Sequence, residues 1–255
     1  MSVPLVVGNW KMNGSQAECQ KLARAIVGGQ KKKDKNPTEV VVAPPFTALA
    51  TVARALRGSD IKLAAQNCHW AESGAFTGEI AAPMLVETGC AFVIVGHSER
   101  RHVLHESDEM IARKIDAVIP HGMRAILCVG ETQEERRQEL TDHVITRQLR
   151  SALKGSAKGV IDNLEIAYEP VWAIGTGQNA SAAQVREVHI CIRRFLTTTF
   201  GKAAGERIRI LYGGSVKPEN AEELAQVDEV NGLLVGGASL KAESFLPIIA
   251  AFRNN

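Results

Sequence analysis

Eight short apolar, β-branched runs recur along the whole chain, and they constrain its fold more than any other feature. In order they read PLVV, EVVVA, IKLAA, FVIV, RAILCV, LEIAY, IRILY and GLLVG. Most are apolar at successive positions rather than at alternate ones, which is typical of strands buried on both faces of a parallel sheet. The sequence therefore predicts an α/β protein built on parallel strands.

Stretches with a helical period separate these runs. Two apolar stripes follow one helical face: Ile111, Ile115, Val118 and Ile119, and then Val185, Val188, Ile192 and Phe195. Capping boxes mark three helix starts: Ser15 with Glu18, Thr132 with Glu135, and Ser181 with Gln184. The chain thus alternates strands with helices from end to end.

The simplest closed arrangement of eight strand-then-helix units is a (β/α)8 barrel. An open doubly wound sheet is the rival, but it usually carries a glycine-rich phosphate turn after its first strand, and VVGNWKMNG is not one. No linker interrupts the series, and 255 residues is an ordinary length for such a barrel. We expect residues 1–255 to form a single (β/α)8 barrel domain.

Composition narrows the class of protein. The net charge of +2 gives no reason to expect a nucleic-acid partner. The five cysteines are widely spread without a C-x-x-C pair, which favours reduced, buried thiols over disulfides or a zinc site. The opening MSVPLVVGNW has no basic leader, and its apolar run is too short for a membrane span. These features predict a cytoplasmic enzyme.

The basic run KKKDK, Lys31 to Lys35, falls between the first predicted helix and the second strand. It can be interpreted as a nucleic-acid or membrane patch, or as a solvated loop. A functional basic patch normally has interleaved aromatic residues or a matching charge surplus, and this chain has neither. We expect a solvated loop and neither a nucleic-acid nor a membrane partner.

Polar side chains follow the ends of several predicted strands. They are Asn9, Lys11, Gln66, Asn67, His97, Ser98, Glu99 and Glu169. In a (β/α)8 barrel the carboxyl ends of all strands open on one rim, and catalytic side chains come from there. The sequence therefore predicts a functional site at this rim.

The last two strands end in glycine-rich segments, YGGS from Tyr212 to Ser215 and VGG from Val235 to Gly237. Glycine allows backbone N–H groups to approach an anion closely, and a following helix adds its dipole. The loops after strands seven and eight are the usual phosphate site of this architecture. A pair of tight turns is the alternative, but their position favours a phosphate site.

Lys11 has three interpretations. It can be a surface ion pair, a Schiff-base amine, which requires an unprotonated nitrogen and a carbonyl substrate, or a charged clamp on substrate oxygen and phosphate. Asn9 can hydrogen-bond the same substrate. The sequence favours the clamp only slightly.

His97 lies between a buried strand and the segment SERRH, where Ser98 can begin a helical turn. The positive end of that turn disfavours an added proton, so we expect a neutral imidazole that donates to a substrate oxygen. A purely structural histidine is an equal alternative. A metal site with His102 and His105 is weakly supported, because the spacing matches no common ligand pattern.

Glu169 ends the sixth predicted strand, and the segment PVWAIGTG follows it. Tyr168, Trp172 and Ile174 would surround the carboxylate and partly desolvate it, which makes it a stronger base. Pro170 and the later glycines frame a short apolar tip, so the segment is interpreted as a lid that excludes water. A pair with Lys11 or a local cap is the alternative for this carboxylate.

Taken together, the motifs resemble those of the triosephosphate isomerase family. The matching segments are GNWKMNG, AQN, SGAFTGEI, VGHSERR, CVGET, AYEPVWAIGTG, LYGGSVKPENA and GLLVGGASL, in family order across nearly the whole chain. The resemblance implies a TIM barrel that interconverts dihydroxyacetone phosphate and D-glyceraldehyde 3-phosphate in glycolysis, gluconeogenesis and the pentose shunt. It also implies no cofactor, no metal and a cytoplasmic location.

By the same resemblance Glu169 is the base, His97 the neutral electrophile and Lys11, with Asn9, the electrostatic clamp. Glu99 organises Lys11 or His97. The phosphate is held by main-chain N–H groups of Gly175, Ser215, Gly236 and Gly237. A glutamate base paired with a neutral histidine beneath a closing loop is a known arrangement for this chemistry.

The family is a homodimer, and its third loop, here Asn67 to Glu79, reaches into the partner's site. Trp70 and Phe76 in this loop fit such an interface, and burial within their own barrel is the alternative. Two other functions are alternatives to the isomerase: a Schiff-base aldolase that uses Lys11, and a scaffold or nucleic-acid-binding protein that uses the basic run.

Overall fold

The computed structural model describes residues 3–30, 38–155, 159–175 and 179–252. Within these ranges eight parallel strands form one closed barrel in sequence order. The strands are β1 Leu5–Asn9, β2 Glu39–Ala43, β3 Lys62–Ala65, β4 Cys90–Val95, β5 Arg124–Val129, β6 Leu164–Tyr168, β7 Ile210–Tyr212 and β8 Gly232–Val235. Strand β1 pairs with both β2 and β8, which closes the ring.

Helices follow the strands on the outside of the barrel. They are α1 Gln16–Gly29, α2 Leu49–Ala55, α3 Ala82–Glu87, α4 Ser98–His102, α5 Asp108–Val118, α6 Gln133–Arg137, α7 Thr141–Leu153, α8 Ala182–Phe200, α9 Lys202–Gly205, α10 Pro218–Ala225 and α11 Ala242–Ala251. The three capping boxes that the sequence predicts are all present, at the starts of α1, α6 and α8. The (β/α)8 fold predicted from the sequence is therefore confirmed.

The strands are apolar at successive positions because they face two cores. In β1, Leu5 and Val7 belong to a cluster inside the barrel, whereas Val6 belongs to the larger cluster between the sheet and the helices. In β4, Phe92 and Ile94 likewise point inward. A strand buried on both faces cannot show polar alternation, so the continuous runs follow directly from the closed sheet.

A buried ion cluster closes the amino-terminal end of the barrel. Arg209 donates from Nε and Nη2 to the two carboxylate oxygens of Glu165, at 3.1 and 2.6 Å, and from Nη1 to Glu39 at 2.7 Å. Arg124 also contacts Glu165, which is fully buried. Desolvation opposes the charge on Arg209, but the two carboxylates outweigh it and raise the pKa of Arg209. We call this cluster of Arg209, Glu165, Glu39 and Arg124 the bottom plug. It lies at the amino-terminal face of the barrel, where residues contribute to stability and not to catalysis.

The predicted bounds of β2, β5 and β6 agree with the observed ones, and those of the other strands differ by one or two residues. Strand β1 runs on to Asn9, because its register with β2 continues through the pair of Asn9 with Ala43. Strand β7 begins only at Ile210 and pairs with β8 through Tyr212 and Leu233. The Lys31–Lys35 run lies outside the described residues. In the described ranges, the search for a helix of membrane-spanning length and apolarity finds none.

Candidate active site

A cavity of about 560 Å³ opens at the carboxyl ends of the strands. Its lining includes Asn9, Lys11, His97, Glu169, Ile174, Gly175, Gly213, Gly214, Ser215, Lys217, Glu219, Gly236 and Gly237. The site residues predicted from the sequence are therefore brought together at one rim. Four of the polar residues predicted at this rim do not line the cavity: Gln66, Asn67, Ser98 and Glu99. Glu99 lies against Lys11 instead.

Glu169 projects into the barrel mouth because of strand parity. It lies two residues after Ala167, whose side chain is part of the interior cluster. Its Oε2 accepts the backbone N–H of Ser98 at 2.8 Å, and its Oε1 lies 3.1 Å from Nε2 of His97. Only 2% of Glu169 is exposed. A Cβ at Gly213 would lie 2.9 Å from Cγ of Glu169, so the glycine makes room for this carboxylate.

His97 is the N-cap of α4, as the position before Ser98 suggested. Its Nδ1 accepts the backbone N–H of Glu99 at 3.3 Å. An Nδ1 that accepts a hydrogen bond carries no proton, so in the neutral ring the proton lies on Nε2, which faces Glu169. The helix cap thus selects the tautomer that donates towards the cavity.

Lys11 is held in a left-handed backbone conformation, with φ of 50°. Its N–H donates to Oδ1 of Asn9 at 3.0 Å, and its carbonyl accepts from Nε2 of Gln66 at 2.8 Å. Such a conformation costs about 1–3 kcal/mol in a non-glycine residue and persists only where neighbouring contacts enforce it. The hydrogen bond from Gln66 to the Lys11 carbonyl therefore helps to hold the Lys11 backbone in this conformation.

Glu99 connects Lys11 with His97. Its Oε1 accepts from Nζ of Lys11 at 2.6 Å, and its Oε2 lies 3.6 Å from Nδ1 of His97. Desolvation raises the pKa of Glu99, but the hydrogen bond from Lys11 and the nearby charges outweigh it and leave the pKa below its usual value. The ion pair fixes the position of the Lys11 Nζ beside the cavity, which suits an electrostatic clamp.

The glycine-rich loops after β7 and β8 present free backbone donors. In the described part of the chain, the N–H groups of Ser215 and Gly237 donate to no protein acceptor. A Cβ at Gly236 would lie 3.4 Å from Cε of Lys11, so the loop after β8 passes directly beside the ammonium. At Gly214 a Cβ would lie 2.2 Å from the Tyr212 hydroxyl, which only glycine avoids. These donors form a cradle for an anion.

The segment after Glu169 is anchored by a buried carboxylate that sequence reasoning missed. Oε1 of Glu131 accepts from Nε1 of Trp172 at 2.8 Å, from the Tyr168 hydroxyl at 3.1 Å and from Arg136 at 3.1 Å. The Arg136 guanidinium also lies 5.0 Å from the Trp172 ring centroid. Glu131 stands two residues after the end of β5, as a polar residue following a strand, and that position was the available signal.

The outer part of the predicted lid is only partly described. Ile174 and Gly175 line the cavity, and Gly175 has φ of 71°, which suits the pivot expected there. Gly177, the second glycine expected to act as a pivot, lies outside the described residues.

Tyr212, the last residue of β7, has a raised pKa. Burial raises the pKa of Tyr212 to about 12, although a hydrogen bond from the Ala180 backbone opposes the shift.

Asn67 and the two histidines of the metal alternative, His102 and His105, do not line the cavity. Oδ1 of Asn67 accepts from Nζ of Lys114 at 2.8 Å, and Lys114 is also paired with the buried Glu106. His102 and His105 are exposed. No cluster of three or more potential metal ligands was found among the described residues.

The fold and the cavity define a class of protein: a (β/α)8 barrel that places a carboxylate, an imidazole, a lysine and glycine-rich loops at its carboxyl-terminal rim. Comparison with known sequences identifies the family within this class. A family model described as triosephosphate isomerase matches residues 4–252, and the chain belongs to that family.

Individual relatives agree. The triosephosphate isomerase of Syntrophotalea carbinolica is 47% identical over 249 residues, covering 98% of each chain. That of Aquifex aeolicus is 48% identical over 248 residues, covering 97% of this chain and 99% of the relative. The crystal structure of triosephosphate isomerase from Bartonella henselae superposes with a TM-score of 0.89 at 44% identity, over 99% of this chain and all of the other.

Proposed function

We propose that Glu169, His97 and Lys11 carry out the reaction of this family in the present chain, the interconversion of dihydroxyacetone phosphate and D-glyceraldehyde 3-phosphate. The observation that supports these roles best is the 3.1 Å separation of His97 Nε2 and Glu169 Oε1 in a cavity that also contains Lys11. The chain is an isomerase of glycolysis.

In the first step the Glu169 carboxylate removes a proton from the substrate carbon next to the carbonyl group. The electron pair moves towards the carbonyl oxygen and gives an enediolate. Nε2–H of His97 donates to that oxygen, and the Lys11 ammonium with the Asn9 amide stabilises the negative charge. Burial of Glu169 removes the water that would otherwise weaken the base.

In the second step protonated Glu169 returns the proton to the neighbouring carbon. His97 shuttles a proton between the two enediolate oxygens, so the carbonyl group ends on the other carbon. Protons move between the substrate, Glu169 and His97, and electron pairs shift only within the substrate, so the proposed reaction has no net oxidation or reduction and needs no redox cofactor. The Lys11–Glu99 pair holds the clamp in place beside the substrate.

The phosphate is proposed to bind the backbone N–H groups of Gly175, Ser215, Gly236 and Gly237. The unpaired N–H groups of Ser215 and Gly237 support this assignment. Closure of the segment from Pro170 onward would exclude water from the enediolate and so prevent loss of phosphate. The indole of Trp172, bonded to Glu131, gives that segment a fixed anchor.

We also propose a homodimer, built around the loop Asn67–Glu79. Phe76 in this loop is 44% exposed and contacts His69 in a tilted arrangement, with ring centroids 4.1 Å apart. Exposed apolar residues also follow β1, β2 and β4 on the same rim: Met12, Phe46, Val103 and Leu104. An apolar area of this kind at one side of a rim is typical of an interface. Sedimentation of the native chain as a monomer at micromolar concentration would contradict it.

Three further assignments are proposals of the same kind. A single domain over residues 1–255 is supported by elements of the barrel that run from Leu5 to Ala251. A cytoplasmic location agrees with the five free cysteines. Participation in gluconeogenesis and the pentose shunt follows from the reversibility of the reaction and from its substrates.

The activity is tested by a coupled assay that supplies D-glyceraldehyde 3-phosphate and detects dihydroxyacetone phosphate, without added metal or nucleotide. We expect turnover by the native chain and its loss in Glu169→Ala. Borohydride trapping with a triose phosphate separates the remaining alternative, because only a Schiff-base aldolase would give a covalent adduct on Lys11. An adduct on Lys11 without isomerisation would overturn the proposal.

A further inference from the structure

We propose that Lys217 attracts the phosphate of the substrate into the cavity through long-range electrostatics, and thereby sets the rate of productive capture. This inference rests on the triose phosphate substrate proposed above. Lys217 lies between β7 and α10, two residues after Ser215, and its side chain is exposed and lines the cavity. It therefore stands at the phosphate end of the site and not beside the reacting carbons.

The charges around the cavity explain why such a residue is needed. Lys11, the other cation of the lining, is paired with Glu99 at 2.6 Å, so the two largely cancel at a distance. Two carboxylates, Glu169 and Glu219, also line the cavity. With Lys11 and Glu99 counted as zero, Glu169 and Glu219 give the mouth a formal charge of −2, and Lys217 reduces it to −1, which halves the negative charge that an approaching phosphate dianion meets.

Lys217 is available for this role because its charge is not committed elsewhere. Among the described residues no carboxylate lies within ion-pair distance of its ammonium. Glu219 lines the same cavity but is not paired with it. An unpaired ammonium exerts its full field on an incoming anion, whereas a paired one is largely neutralised.

The backbone of Lys217 is fixed even though its side chain is free. Its N–H donates to Oδ1 of Asn220 at 2.8 Å, and Nδ2 of Asn220 donates to the carbonyl of Ser215 at 3.0 Å. Lys217 therefore belongs to the same hydrogen-bonded turn as Ser215, whose N–H we assign to the phosphate. The free ammonium suits attraction through solvent, and the substrate then settles on the backbone donors.

The test compares kcat/KM of the native chain and Lys217→Gln with two substrates, D-glyceraldehyde 3-phosphate and D-glyceraldehyde, across a range of ionic strength. For the phosphorylated substrate we expect a loss of about two- to fivefold at about 0.01 M salt, which disappears towards 1 M as the Debye length falls from about 30 to 3 Å. For D-glyceraldehyde, which has no phosphate, we expect no change at any ionic strength.

Matched variants complete the design. Glu219→Gln should raise kcat/KM for the phosphorylated substrate at low salt, and Lys217→Arg should retain the native rate. Lys62→Gln removes the same charge from an exposed residue that opens β3 at the opposite end of the barrel, and it should change nothing.

Several results would overturn the inference. They are an unchanged Lys217→Gln rate at low salt, a loss that persists equally at high salt, and an equal loss with D-glyceraldehyde. An inactive native chain would instead refute the proposed function, and the inference with it. The native assay therefore separates the two failures.

Discussion

Nε2 of His97 lies 3.1 Å from Oε1 of Glu169, while the other oxygen of the same carboxylate accepts the backbone N–H of Ser98 at 2.8 Å. Both donors come from the corner between β4 and α4, and the carboxylate comes from the end of β6. The pair of His97 and Glu169 is therefore assembled from two strands that the barrel brings together, and its geometry depends on the closed sheet.

Shortening Glu169 tests this geometry. Glu169→Asp keeps the charge but withdraws the carboxylate by one methylene group, and a displacement of about 1 Å costs about 100-fold in rate. We expect kcat to fall by about that factor with little change in KM, because the phosphate contacts are untouched. Steady-state kinetics in both reaction directions measure this, and a native kcat would remove Glu169 as the base.

Removing the Lys11 ammonium should harm binding and chemistry together. Lys11→Met leaves the anion cradle and the enediolate without their nearest cation, and it leaves Glu99 unpaired. We expect kcat/KM to fall by about 1,000-fold, with KM raised and kcat lowered, since one preorganised donor contributes about 100- to 1,000-fold. Lys21→Met, an exposed change on α1, is the control. Native kinetics in Lys11→Met would eliminate the clamp.

The anchor of the lid segment predicts a smaller effect. Trp172→Phe keeps the ring but removes the Nε1 donor that reaches Glu131 at 2.8 Å. A hydrogen bond to a charged acceptor contributes about 1.5 kcal/mol or more, so we expect kcat to fall by about tenfold. Tyr168→Phe removes a second donor to the same oxygen and should act in the same direction. If kcat is native in both variants, Glu131 does not position the segment.

The bottom plug should affect stability and not activity. Glu165→Gln removes the charge that neutralises Arg209 and Arg124 in a buried site. Breaking such a pair costs about 3–5 kcal/mol, and we expect the free energy of unfolding to fall by that amount while kcat/KM at 25 °C stays native. Denaturant unfolding of Glu165→Gln beside the exposed control Glu87→Gln measures the difference. An equal loss in the control would contradict the role of the plug.

His189 predicts a dependence of stability on pH. The ring is fully buried, with Nδ1 3.0 Å from the Glu229 carbonyl, and desolvation lowers the pKa of His189 to about 4. Between pH 6.5 and 4 the unfolded chain therefore binds a proton at this residue that the folded chain does not. Stability contributed by His189 falls as the pH falls through this window, by up to about 3 kcal/mol.

The measurement is the free energy of unfolding at intervals from pH 7 to 4, for the native chain and His189→Gln. The variant should lose stability less steeply as the pH falls, whatever its stability at pH 7. The exposed change His143→Gln should leave the native slope in place. Parallel curves for the native chain and His189→Gln would show that the buried ring does not carry this dependence.

The sequence by itself determined the order of strands and helices, because that information is local. Hydrophobic period depends on neighbours along the chain, and the two ends of a capping box are only three positions apart, so Ser15, Thr132 and Ser181 could be identified as helix starts. Side chains of a strand point alternately to its two faces, so Glu165 and Glu169, four positions apart in and after β6, lie on the same face. The rim residues could be predicted for the same reason, since each follows a strand directly.

Only the tertiary structure decided which of these groups meet. Lys11 and Glu99 are 88 positions apart, and Ser98 and Glu169 are 71 apart. Glu131 likewise meets Trp172 and Tyr168 only because β5 and β6 are neighbours in the barrel. Distances between such groups depend on closure, twist and register of the whole barrel, which no local pattern encodes. For the same reason the sequence could not show that Lys217 has no ion-pair partner among the described residues, because pairing depends on which groups the fold places around an ammonium.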